Sequence, residues 1–189
     1  MKRTRKAILL LLVGLLSLPA LAACGETARA LLEKGNEFTQ AGQYAEAVEE
    51  YERALELDPD NVDVMANLGV AYYGLRQLSM AIDIYNKAIA IAPEDADLRS
   101  NLAAAYVQQY EPDGATDPLD MALEQYQKAI ELAPDLAEAH YGMGVVYSLL
   151  GQTGEAIAAL EKFQELDTGN DPQATQNAQT MLEQLRGQQ

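Results

Sequence analysis

The chain has 189 residues with a single cysteine, no tryptophan and a formal charge of −16, from 29 acidic against 13 basic residues. That length allows one domain with its own core, and the charge excludes a surface built to gather nucleic-acid phosphates or anionic lipid heads. One cysteine excludes an internal disulfide, and the abundance of Ala, Leu, Glu and Gln with few β-branched runs predicts an all-α fold.

Lys2, Arg3, Arg5 and Lys6 open the chain, followed by an almost unbroken apolar run over residues 7–18 and by small residues around Pro19. This is the layout of a secretory signal. With those four cations set aside, nine basic residues face 29 acids, a balance of −20. The uncharged stretch 7–23 is 17 residues long, marginal for a hydrocarbon core of about 30 Å. Leu21-Ala22-Ala23-Cys24 follows directly and resembles the lipobox of bacterial lipoproteins. The resemblance implies a signal peptide over 1–23, lipid on Cys24 and a short lipidated spacer over 24–27. Plain secretion and an uncut anchor helix are the alternatives. Lipid is favoured because each buried acyl methylene contributes about 0.8 kcal/mol, and more than one chain anchors stably. Gly25 rather than Asp follows Cys24, so the resemblance carries no signal for retention in an inner membrane and leaves the membrane open.

From residue 28 the chain repeats itself. Prolines fall at Pro59, Pro93 and Pro134, and small residues at Ala47, Ala81, Ala122 and Ala156. Aromatics fall at Phe38, Tyr72, Tyr106 and Tyr147. Each series steps by 34 residues with one step of 41. The extra seven residues lie between Tyr106 and Ala122, where 109–118 hold two prolines and a glycine and read as an enlarged loop between two helices. Asp117-Pro118 is expected to restart a helix as N-cap and first-turn proline. After the last repeat, Asp171-Pro172 starts a final helix with Ala174, Ala178, Met181, Leu182 and Leu185 on one face, and Arg186-Gly187 ends it.

A 34-residue helix–turn–helix with these small, aromatic and proline landmarks resembles the tetratricopeptide repeat (TPR). The resemblance covers 28–61, 62–95, 96–136 and 137–170. It implies a right-handed α-solenoid of four repeats, with 171–189 as capping helix and tail. Several positions depart from the pattern. Leu31, Met65, Arg99 and His140 stand where a large aromatic is expected, and Lys34 stands where the other repeats have Leu68, Leu102 and Met143. Ala103 replaces the packing glycine found as Gly35, Gly69 and Gly144, while Phe163 replaces a small residue and Thr168 a proline. Phe163 suits a repeat whose neighbour is a terminal helix.

In this family the first helices line a concave groove. The positions that would line it here are Arg29, Leu32, Asn36, Thr39 and Gln40 in the first repeat, and Asp63, Ala66, Val70, Tyr73 and Gly74 in the second. In the third they are Asp97, Ser100, Ala104, Val107 and Gln108, and in the fourth Glu138, Tyr141, Val145, Ser148 and Leu149. Such a floor suits an extended peptide or a helix, and acids at one repeat position (Asp63, Asp97, Glu138) favour neutral or basic segments. Some relatives clamp a C-terminal carboxylate with basic residues. Leu32, Asp97 and Asn101 stand at those basic positions here, which argues against that mode.

The lone His140 reads as a packing residue, and no metal-ligand spacing appears. Glu111, Asp113 and Asp117 lack the alternation of a calcium loop. No phosphate loop or nucleophile elbow is present, so no cofactor or enzymatic site is expected. The resulting expectation is a lipoprotein scaffold, attached to a bacterial membrane on its extracytoplasmic side, that holds protein or peptide partners. It is similar to envelope lipoproteins that serve pilus biogenesis, outer-membrane assembly or recruitment of cell-wall enzymes. The alternatives are a self-assembling homo-oligomeric scaffold and, in a different class, an enzyme or small-ligand binder without a motif.

Overall fold

The computed structural model describes residues 27–112 and 114–187. The expected signal peptide, Cys24 and the spacer as far as residue 26 lie outside these residues, as does Asp113. The described residues form nine helices and no strand: α1 Ala28–Gln40, α2 Tyr44–Leu57, α3 Val62–Gly74, α4 Leu78–Ile91, α5 Ala96–Gln109, α6 Asp117–Leu132, α7 Ala137–Leu149, α8 Thr153–Leu166 and α9 Pro172–Arg186. The all-α repeat fold expected from the sequence is thus the one observed. Helices pack as hairpins (α1 on α2, α3 on α4, α5 on α6, α7 on α8), each hairpin stacks on the next, and α9 packs on α8. Among the described residues no helix is long and apolar enough to cross a membrane.

Small residues set the close approach of the helices. Ala47, Ala81, Ala122 and Ala156 recur at one position of the second helices, and Ala54, Ala88 and Ala129 at another, and all are buried. The fourth counterpart of the latter is Phe163, which is buried with Ala178, Leu182 and Leu185 of α9. Helix starts at the repeat junctions are capped by Thr27, Asn61 and Asp95, whose side chains accept from the backbone N–H three residues on. Asp171 likewise caps α9, accepting from Gln173 and Ala174 N–H.

The turn inside the hairpin recurs in three repeats. After the helical caps Ala41, Leu75 and Leu150 comes a left-handed residue: Gly42 (φ 73°), Arg76 (φ 59°) and Gly151 (φ 71°). The next N–H, from Gln43, Gln77 or Gln152, donates back to the carbonyl of Phe38, Tyr72 or Tyr147 at 2.8, 2.9 and 2.9 Å. This closes a Schellman-type C-cap. Only Arg76 bears a Cβ at that left-handed position, which costs about 1–2 kcal/mol. Arg76→Gly is therefore expected to raise the unfolding free energy by about 1 kcal/mol, part of the relief being offset by the freer unfolded chain. Urea denaturation should show a higher midpoint with an unchanged slope.

In the third repeat the seven extra residues are shared between helices and connector. Helix α6 has 16 residues where the other second helices have 14, α5 has 14 where the other first helices have 13, and the connector spans 110–116. The N-cap of α6 is Thr116 and not Asp117, correcting the sequence expectation. The Thr116 carbonyl takes the N–H groups of Leu119 and Asp120 at 2.8 and 3.1 Å, so Asp117 and Pro118 already belong to the first turn. There Pro118 needs no donor, and the Asp117 carboxylate suits the positive end of the helix.

The residues that break the repeat pattern have specific partners. Lys34 pairs with the buried Glu50 (Nζ–Oε1, 2.6 Å), which also accepts from Arg53 at 2.7 Å. Glu50 stands where the second repeat has Ile84, so a facing apolar pair (Leu68 and Ile84) is replaced by an ion pair. Arg99 donates through Nη2 to the Pro93 carbonyl at 2.7 Å and through Nη1 to Gln125 Oε1 at 3.3 Å. His140, at the matching position, is buried with Nε2 3.0 Å from the Pro134 carbonyl. Both side chains tie a first helix to the junction proline six residues earlier.

Candidate functional site

Because each hairpin stacks on the next, the first helices α1, α3, α5 and α7 come to lie side by side. The family positions named above fall along this row. Asp63, Asp97, Glu138 and Gln40 lie at its more open edge, while Ala66, Val70, Tyr73, Ala104, Val107, Gln108, Tyr141, Val145 and Ser148 are half-buried and Ser100 is buried.

A cavity of about 440 Å³ opens on this face. Tyr73, Ser100, Ala104, Val107, Gln108, Glu138, Tyr141 and Val145 line it, so the fold brings eight of the expected residues together. Asn36, Gln40, Asp63, Ala66, Val70, Asp97 and Ser148 do not line it. Asn36 is engaged within its own hairpin, where its Oδ1 accepts from the Tyr51 hydroxyl at 2.7 Å and Thr39 Oγ1 lies 3.0 Å from the same hydroxyl.

Three lining residues were not among the groove positions expected above: Tyr126, Gly142 and Asn101, the last of which the sequence places only at a clamp position. Tyr126 belongs to a second helix, at the same repeat position as Tyr51 and Tyr85. Those two rings lie flat against Gly35 and Gly69 of their own first helix. In the third repeat that glycine is Ala103, and Ala104 and Val107 stand where Asn36 and Thr39 hold the Tyr51 hydroxyl. Tyr126 lies against Gly142 of the following repeat, which replaces Asn67 and Asn101 of earlier repeats. The ring lines the first-helix cavity there. The sequence signal for this is Gly142, a departure at a recurring position.

Three tyrosines and one carboxylate, Glu138, are among the residues that line the cavity. Burial raises the Tyr126 phenol pKa well above its ordinary value, and Tyr73 and Tyr141 nearby add to the effect. Burial also raises that of Tyr73, partly offset by the Arg76 cation. Tyr141 is held from behind by Phe163, with ring centroids 5.2 Å apart and planes tilted by 52°. At the lip, partial burial and then the charges of Asp95 and Glu138 raise the Asp97 carboxyl above the ordinary range. The side-chain oxygen of Gln108 is buried without a hydrogen-bond partner, an arrangement that costs about 1–3 kcal/mol. No lysine or arginine lines the cavity. Among the described residues, no group of three His, Cys, Asp or Glu side chains is placed to hold a metal ion.

Family models described as "Tetratricopeptide repeat" match residues 62–95, 96–131 and 137–170. One described as "TPR repeat" matches 35–75 and 119–151. Together they span residues 35–170. The fold is similar to that of TTC0263, a thermophilic TPR protein in Thermus thermophilus, at 24% identity and TM-score 0.72, covering 84% of this chain and 81% of that one. It is also similar to MamA 41-end from Desulfovibrio magneticus RS-1, at 24% identity and TM-score 0.65, covering 76% and 77%. The first TPR of Spaghetti (RPAP3), bound to the HSP90 peptide SRMEEVD, is 27% identical with TM-score 0.60, covering 66% of this chain and 94% of that one. No curated protein matches the chain.

Proposed function

This chain belongs to the tetratricopeptide repeat family, and from that premise we propose that it is a lipid-anchored scaffold holding a partner protein on its first-helix face. The observation that carries the reading is the cavity over α5 and α7. It is a preformed, tyrosine-walled recess on the face built by successive first helices, with acids at its lip. Such a recess can seat a side chain of a bound segment while the row of helices supports the rest. Peptide binding by the RPAP3 repeat supports a peptide or protein as partner. The chemistry of the segment differs, however. SRMEEVD is acidic, and this face presents Asp63, Asp97 and Glu138, so a neutral or basic segment fits. The reading is therefore that of a binding module.

The anchoring half of the proposal rests on Leu21-Ala22-Ala23-Cys24 and the apolar run before it. It places the repeats at the extracytoplasmic side of a bacterial membrane. Expressed in a bacterial host, the chain is expected to incorporate labelled palmitate and sediment with membranes, and Cys24→Ser is expected to lose both. A photo-crosslinking residue at Val107 should give adducts in intact envelopes, and the same residue at the exposed Glu56 of α2 should not. Palmitate retained by Cys24→Ser would refute the anchor, and equal adducts from both positions would refute the face.

A further inference from the structure

The scaffold reading says which face binds, and the cavity narrows what it binds; this step rests on that reading. We infer that the cavity over α5 and α7 seats one arginine side chain of a partner segment.

Tyr73, Tyr126 and Tyr141 come from three successive repeats yet wall a single recess. Aromatic faces attract cations, and a planar guanidinium stacks on them as well. Tyr126 comes from a second helix and lies there against Gly142. The second feature is charge. Glu138 lines the cavity and Asp97 lies close enough for the two carboxylates to repel. Neither is in an ion pair among the described residues, whereas Glu33, Glu124, Glu161 and Glu165 each have a basic partner. Glu138 thus brings to the cavity a carboxylate without an ion-pair partner among the described residues. The third feature is the supply of acceptors. A guanidinium carries five N–H donors in a flat fork, and beside Glu138 stand the amides of Asn101 and Gln108. The Gln108 side-chain oxygen has no hydrogen-bond partner. A lysine brings only three donors and cannot stack, so it fits less well. An acidic side chain meets the wrong charge.

The test uses the detergent-solubilised full chain and fluorescent peptides with identical neutral flanks, differing only at a central Arg, Lys, Gln or Glu. Fluorescence anisotropy is expected to rank Arg first and Glu last. Glu138→Gln is expected to weaken the Arg peptide about three- to fivefold, the effect of one partly exposed charge pair. Asp63→Asn, which removes a charge at the equivalent position two repeats away, is expected to leave it unchanged. Equal binding of all four peptides overturns the arginine seat while leaving the scaffold reading intact. Equal weakening by Asp63→Asn and Glu138→Gln also overturns it, because the attraction would then be general acidity. Binding of none of the peptides overturns the seat, and the Val107 crosslinks then decide the scaffold separately.

Discussion

Gly69→Ala is expected to lower the stability of the chain by about 3 kcal/mol, at the upper end of the cost of overfilling a packed core. Gly69 sits mid-helix in α3 with the Tyr85 ring lying across it. A Cβ built there meets ring atoms Cζ at 2.5 Å and Cδ1 at 2.8 Å, far inside van der Waals contact. Tyr85 cannot step aside freely, since it is only 2% exposed and packed in the main core. Either the ring leaves its place or α3 and α4 separate, and each loses contacts on both sides of a middle repeat. For a chain of this size the loss corresponds to a fall in Tm of about 6–12 °C. Gly35, against Tyr51, is built the same way. Gly154 in α8 is the control, because a Cβ there meets nothing within 4 Å and alanine is the better helix former. Thermal unfolding followed by circular dichroism should separate the two variants clearly. If Gly69→Ala melts with Gly154→Ala, glycine–tyrosine packing is not what closes the hairpins.

Much of this fold was legible because stacked hairpins impose a period, and a period can be counted. The 34-residue step gave the four hairpins, and the one step of 41 located the insertion between α5 and α6. The period also marked the first-helix face, since the half-buried residues on it recur at fixed places in the repeat. What a period cannot show is how two departures compensate. Lys34 alone looks like a charge lost among apolar positions, until Glu50 is seen to depart at the facing position. Arg99 and His140 look like failed aromatics, until each is found on the carbonyl of its junction proline. The cavity was missed in part for the same reason. By its place in the repeat Tyr126 is a buried core ring, as Tyr51 and Tyr85 are, and it is buried here too. Its place against Gly142 puts it at the cavity wall. The Thr116 cap was missed for a local reason: Asp before Pro reads as a cap, but the backbone turned one residue sooner.

Ala103 and Gly142 are expected to be a coupled pair, joined through the Tyr126 ring. A Cβ at Gly142 meets Tyr126 Cε1 at 2.6 Å, with Cζ and the hydroxyl oxygen closer still. Gly142→Asn, which restores the residue found as Asn67 and Asn101, is therefore expected to cost about 3 kcal/mol. Ala103→Gly alone is expected to cost about 1 kcal/mol, the ordinary penalty for glycine inside a helix. Together the two changes rebuild the arrangement of the first and second repeats, in which the ring lies on its own first helix and the next repeat carries a polar side chain at the vacated place. The double variant is thus expected to be more stable than Gly142→Asn alone, with a coupling energy of about 1–2 kcal/mol in a double-mutant cycle. Urea denaturation of the four proteins measures it. The double variant should also lose its preference for an arginine-centred peptide, since Tyr126 would withdraw from the recess while Glu138 stayed. Additivity within about 0.5 kcal/mol, the range found for independent sites, would show that Ala103 does not steer the ring.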